Sequence, residues 1–250
     1  MNGLHRVRDT FFNGHLLAEV FPSLLRTGLL NTLVLALLAS AIGLVAGILL
    51  ASGLMSRRLV VRVPCRTYVD ILRGLPHILS IYLIGQGLPL AGLNVFGTWT
   101  YGYAALAIGL TEGSYMAEIF RSGFQSVDPG IVEAARSLGM SHGKAMRLVV
   151  VPVGFRRVLP ALTGQFILVI KSTALVYLLG LVTGQREMFA IAQDASANDA
   201  SLTPLVAAGV LYLAITVPLT YAVNAWDRRL RDGRRARPAT EPVPQQEALV

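Results

Sequence analysis

Charge is scarce in this sequence. Charged residues fill only 14% of its 250 positions, where a soluble domain carries about 25%. There is a single cysteine, Cys65, so no internal disulfide can form and the redox compartment is not written in the chain. The four histidines, at 5, 15, 77 and 142, are scattered. None falls in an H-E-x-x-H or a cysteine-containing set, so no metal site is expected. There is no P-loop. Gly139-Met140-Ser141-His142-Gly143-Lys144 has three residues between its glycines instead of four, and Ala145 where a Ser or Thr must hold magnesium. No nucleophile motif is present, so no catalytic residue is assigned. A basic face on a soluble fold is missing too, which excludes a nucleic-acid reader.

Apolar residues are abundant instead: 54% of the chain, with mean hydropathy +0.58. They come in blocks. Residues 27–55, 74–111 and 202–226 contain no Asp, Glu, Lys or Arg. About 20 apolar residues at 1.5 Å rise cross a bilayer core of roughly 30 Å. The first and last blocks each make one helix. The middle block is too long for one and carries Pro89, Gly92, Asn94 and Gly97, which predicts a turn near 88–98 between two helices. A further helix fits 159–182, interrupted only by Lys171. The expected architecture is an all-α polytopic membrane protein with about five spans, at about 27–55, 63–88, 99–121, 159–182 and 202–226. Residues 1–23 form an N-terminal segment, 24–230 the transmembrane domain, and 231–250 a Pro- and Gln-bearing tail expected to be disordered. The first block is too long for a signal-peptide core and ends in Ser56-Arg57-Arg58 rather than a small-residue cleavage site, so it reads as a retained helix.

Basic residues orient the spans. Seventeen of the 22 Lys and Arg follow the first span, follow the third, or sit after the last; four lie on the opposite side, and Lys171 is inside a span. The rich side is expected to be cytoplasmic, with the N-terminus outside and the C-terminus inside. The net charge of +8 is therefore mainly a topology signal.

The connection at 122–158 has punctuation of its own. Asp128-Pro129 reads as a cap followed by proline at the first helical position. Ile131, Ala134, Ala135 and Leu138 recur at helical spacing, and Gly139 stops the helix. Ser141 can cap a second helix carrying Lys144 and Arg147, which Pro152 is expected to end or kink. The result is a small stiff hairpin between two spans. It either lies on lipid headgroups or docks a cytoplasmic partner.

Here the residues meet a known pattern. Glu133-Ala134-Ala135, then Gly139, then Pro152 resembles the EAA signature of bacterial ABC-importer permease subunits, which reads E-A-A, three residues, G, nine residues, I-x-L-P. The chain departs at Val149 and Val151, both apolar exchanges. Arg73-Gly74-Leu75-Pro76, Ala117-Glu118-Ile119-Phe120-Arg121 and Lys171-Ser172-Thr173-Ala174-Leu175 resemble stretches of the polar amino-acid permeases. Four stretches in order, over roughly residues 25–230, make the resemblance specific. It implies a type I ABC-importer permease in the bacterial inner membrane, with Glu133, Ala134, Ala135, Gly139 and Pro152 as its ATPase-coupling residues. The implied partners are ATP-binding cassette subunits carrying the ATP and magnesium, a second identical or homologous permease, and an extracytoplasmic solute-binding protein. The cargo would be a polar or basic amino acid or a related solute. No cofactor would be bound by this chain.

Ionisable and polar residues inside spans are functional candidates by default. Arg73, Glu112, Glu118, Arg121, Lys171, Ser172 and Thr173 form the candidate substrate pathway. Glu112 either faces a cavity and attracts a cationic solute or pairs with Lys171 as a structural bridge; the bridge is the favoured expectation. Glu118 and Arg121, at i and i+3, suit a local pair. Gly43/Gly47 and Gly109/Gly113 have the spacing that permits close helix contact. Two other readings compete: a secondary carrier needing no ATPase, and an intramembrane enzyme using Glu112, His77 or Asp70. Neither explains the hairpin.

Overall fold

The computed structural model describes residues 3–235, and among them only helices and their connections occur. The eleven α-helices are α1 (Gly3–Phe11), α2 (Gly14–Ser23), α3 (Leu29–Leu54), α4 (Leu59–Gly74), α5 (His77–Leu90), α6 (Thr100–Gln125), α7 (Pro129–Ser137), α8 (His142–Ala145), α9 (Val151–Ser172), α10 (Met188–Asp199) and α11 (Thr203–Arg235). Three largely helical stretches are long and apolar enough to cross a membrane: Arg6–Leu54, His142–Leu179 and Thr203–Arg228. The shorter apolar α5 and the buried α6 complete the bundle.

α6 is the axis of the fold. Tyr101, Ala104, Ala107, Ile108, Met116 and Phe120 are all buried on it, and α3, α5 and α9 pack around it. The seam between α3 and α6 is built from small residues. A Cβ on Gly43 would meet the Gly109 carbonyl at 3.2 Å, and one on Gly113 would meet Ala46 Cβ at 3.0 Å. Both glycine pairs are thus spent inside the chain, bringing two backbones together where lipid supplies no hydrophobic drive.

Several expected boundaries move, each for a local reason. The span expected at 63–88 is two helices. Leu75 is extended (φ −84°, ψ 148°) because it precedes Pro76, whose ring disfavours the helical conformation there, so α4 ends and α5 restarts at His77. The helix expected from 159 begins earlier. Pro152 does not end the hairpin's second helix: a π turn, Met146–Val150, joins α8 to α9, and the helical run continues past the proline. At its far end α9 tightens into a 3₁₀ stretch, Thr173–Leu179, stopped by Gly180 in the left-handed conformation (φ 69°). A second π turn, Leu24–Gly28, joins α2 to α3, so the helical run that holds the first span already starts at Gly14. α11 continues through Arg235; the expected disordered tail lies outside the described residues from 236 onward.

Candidate functional site

The hairpin owes its shape to local bonds. Asp128 caps α7 by accepting from the Gly130 N–H at 2.8 Å. At the other end the Met140 N–H reaches Ala135 O (3.3 Å) and the Gly139 N–H reaches Arg136 O (3.0 Å). That double closure requires a left-handed residue, and Gly139 supplies it at φ +83°. Ser141 then caps α8 by accepting from the Lys144 N–H at 3.3 Å. Of the signature residues only Ala135 is buried, while Glu133, Ala134, Gly139 and Pro152 lie open. Leu138 beside them is 82% exposed. Ile131, Leu148 and Val151 on the same hairpin are exposed as well, and apolar exposure concentrated on one element marks an interaction surface.

Deeper in the bundle the pathway candidates form two groups. The first surrounds Glu112, which is 1% exposed. Its carboxylate accepts from Ser172 Oγ at 2.7 Å and from Gln165 Nε2, and lies 3.0 Å from His77 Nε2. Against an ionised carboxylate that nitrogen carries the proton and donates. One acid thus ties α5, α6 and α9 together. The expected bridge from Glu112 to Lys171 is not formed: Ser172 turns inward, while neighbouring Lys171 is exposed and has no ion pair among the described residues. Thr173 bonds back to Ile170 O (2.7 Å) and lies 3.4 Å from Tyr212 Oη.

The second group centres on Glu118. Arg121 reaches it at 2.6 Å, Arg66 at 3.1 Å and Arg73 at 3.8 Å. The Arg73 guanidinium also stands over the Tyr115 ring, 5.6 Å from its centroid. Each group borders a hollow. One, of about 400 Å³, is lined by His77, Glu112, Tyr115, Gln165, Lys171 and Ser172, with Leu168 and Leu175. The other, of about 480 Å³, is lined by Arg66, Arg73, Tyr115, Glu118, Arg121 and Gln165, among others. Tyr115 and Gln165 border both. The arrangement offers guanidinium donors on one side of Tyr115 and a carboxylate with amide and hydroxyl partners on the other. This is chemistry for binding a polar solute. No group of three His, Cys, Asp or Glu able to hold a metal ion occurs among the described residues.

Sequence reasoning missed Arg66, Tyr115 and Gln165. A faint signal existed: Gln165 and Ser172 stand seven apart, two helical turns, so both face α6 from α9. It also missed Glu187, which joins the segment after Gly180 to α10. Glu187 accepts from the Phe189 and Ala190 N–H groups, each at 2.6 Å, and from Tyr212 Oη at 3.1 Å. Burial pushes its carboxyl up to about 7, against the downward pull of those donors. Nearby, Asn31 of α3 donates to the carbonyls of Gly184 (2.8 Å) and Arg186 (2.9 Å).

Comparison with known proteins agrees with this geometry. A family model described as the binding-protein-dependent transport system inner membrane component matches residues 43–232. The arginine transport system permease protein ArtQ of Bacillus subtilis is 31% identical over 82% of this chain and 91% of its own length. The nopaline transport system permease protein NocM of Agrobacterium fabrum is 34% identical over 89% and 93%. Among solved structures, a chain of an amino acid ABC transporter crystallised with histidines superposes with TM-score 0.71 at 32% identity, covering 92% of this chain and 99% of that one. An inward-facing MetNI methionine ABC transporter shares the fold at 18% identity, TM-score 0.67, over 84% and 97%. This chain therefore belongs to the family of binding-protein-dependent transport system inner membrane components.

Proposed function

We propose that this chain is the membrane-spanning permease subunit of an ATP-driven importer for polar or basic amino acids or related solutes. ATP and magnesium are bound by a separate ATPase subunit, and no cofactor is bound by this chain. The observation that carries the reading is the capped hairpin from Asp128 to Pro152, with its open Glu133-Ala134-Ala135 face and exposed Leu138, fused without a break into α9. A continuous helix passes a rigid-body displacement at its cytoplasmic end to Gln165 and Ser172, whereas a flexible loop would absorb it. Relatives named as permeases for arginine, nopaline and glutamine support the cargo class.

In this reading the N-terminus is outside and the C-terminus cytoplasmic, an extracytoplasmic binding protein delivers the solute, and a second permease, identical or homologous, completes the path. Arg73, Glu112, Glu118, Arg121, Lys171, Ser172 and Thr173 border that path. The arginines around Glu118 suit a substrate carboxylate. The carboxylate of Glu112 suits an ammonium group if its present donors yield. The test is reconstitution in liposomes with the ATPase subunit, the second permease and the binding protein, followed by uptake of a panel of labelled amino acids. Uptake that requires ATP and the ATPase subunit is expected. Uptake by this chain alone, driven by an ion gradient, would overturn the proposal.

A further inference from the structure

A third hollow, of about 400 Å³, lies where the cytoplasmic ends of α3 and α6 meet α4; it shares Arg66 and Arg121 with the hollow beside Glu118, while Arg62 belongs to this one alone. Its lining combines three guanidiniums, Arg62, Arg66 and Arg121, with Thr67, Gln125 and the apolar Leu54 and Val63. The charges there are unbalanced. Arg66 is held by Asp70 (2.9 Å) and Glu118 (3.1 Å), and Arg121 by Glu118. Arg62 has no ion pair or side-chain hydrogen bond among the described residues, and Arg73 shares Glu118 with them at 3.8 Å. Four guanidiniums against two carboxylates leave an excess of two positive charges. Next to this fork α4 presents large apolar side chains to the outside: Leu59, Val60 (87% exposed) and Val63.

We infer that this hollow is a binding site for the phosphate headgroup of an anionic phospholipid from the cytoplasmic leaflet. Guanidinium forks match phosphate oxygens two at a time, and basic hollows between spans on the cytoplasmic side suit acidic headgroups. The apolar rim separates a lipid from a free anion. A soluble phosphate gains nothing from Val60 and Val63, whereas acyl chains cover them. The site sits along the first half of α4, at the end away from the Pro76 break, with Arg66 two helical turns from Arg73. The inference rests on membrane placement alone and is independent of the cargo.

The test uses the full chain in nanodiscs of mixed phosphatidylglycerol and phosphatidylcholine, with spin-labelled versions of each lipid reporting the motionally restricted fraction. The wild type is expected to prefer phosphatidylglycerol. Arg62→Gln should lower that preference by about fivefold, the weight of one basic residue at an anionic surface. Arg62→Lys should retain part of it. Arg58→Gln removes an equal charge one helical turn away but outside the hollow's lining, and should lower the preference less than Arg62→Gln does. Thermal unfolding in parallel confirms that each variant is folded. Equal losses in Arg62→Gln and Arg58→Gln would overturn the site in favour of diffuse surface attraction. Absence of a preference in the wild type would overturn it outright. Displacement of the lipid by millimolar inorganic phosphate would reassign the hollow to a free anion.

Discussion

The hairpin at 128–152 and the node around Glu112 are built on opposite plans. The hairpin is exposed and held by bonds between residues two to five apart: Asp128 with Gly130, Gly139 with Arg136, Met140 with Ala135, Ser141 with Lys144. The node is buried, and its bonds span 35, 53 and 60 residues of chain. Local turn chemistry makes an element that is rigid by itself and can be gripped from outside. A shared buried acid makes three helices that hold position only relative to one another, so what moves one of them is felt by the others. The π turn Met146–Val150 lies between the two regions, in the one helical run that belongs to both.

The largest separation of the two regions should come from Glu112→Ala. It leaves the His77, Gln165 and Ser172 donors facing a void, at a cost of about 3 kcal/mol for buried bonds to a charged group. The midpoint of chemical unfolding in detergent should fall accordingly, with the hairpin's own hydrogen-exchange protection unaltered until the bundle opens. A midpoint equal to that of wild type would show that the node is not structural.

A second buried acid sharpens the same side of the comparison. Burial raises the Glu187 carboxyl from 4.5 to about 7. The folded chain therefore holds a proton there that the unfolded chain releases, and the associated stability is present below about 4.5 and is lost as pH rises through about 7. Thermal midpoints should decline across that window, and Glu187→Gln should flatten the decline. An unchanged slope in the variant would remove Glu187 as its source. No comparable pH dependence is expected from the exposed hairpin.

Gly139→Ala comes next. A side chain in the left-handed conformation costs roughly 1–2 kcal/mol, and the strain is confined to the turn, since a Cβ there meets nothing within 4 Å. Global unfolding should barely shift while ATP-driven uptake falls several-fold. Uptake equal to wild type would show that the turn geometry does not matter for coupling.

The two plans also explain what the sequence disclosed. The hairpin was legible almost residue by residue because caps and a stop glycine act on their nearest neighbours, and the four family stretches fell on it and on the inner helices. Pro152 does not end the helix, because the π turn immediately upstream lets the helical run continue past it, and no local pattern announces that turn. The Glu112 node was legible only in part. Glu112 and Ser172 stand out as polar residues in apolar runs, but their pairing depends on how α6 and α9 rotate against each other. That rotation is set where the two helices meet, with Gly123 of α6 close against Gly154 and Val158 of α9, not by any local pattern. Lys171 was the obvious partner by charge, and it lies one residue, about 100° of helix, away from the face that carries Ser172.

The smallest effect on stability and the most direct test coincide in Glu133→Lys. Glu133 is exposed and its side chain makes no hydrogen bond or ion pair among the described residues, so the variant's unfolding midpoint should match wild type to within about 0.5 kcal/mol. Its affinity for the ATPase subunit, measured with the full chain in nanodiscs, should fall by about tenfold or more, the order expected when a charge at an interface is reversed. A folded Glu133→Lys chain that binds the ATPase subunit as tightly as wild type would contradict the claim that the hairpin is the grip through which ATP hydrolysis moves the bundle.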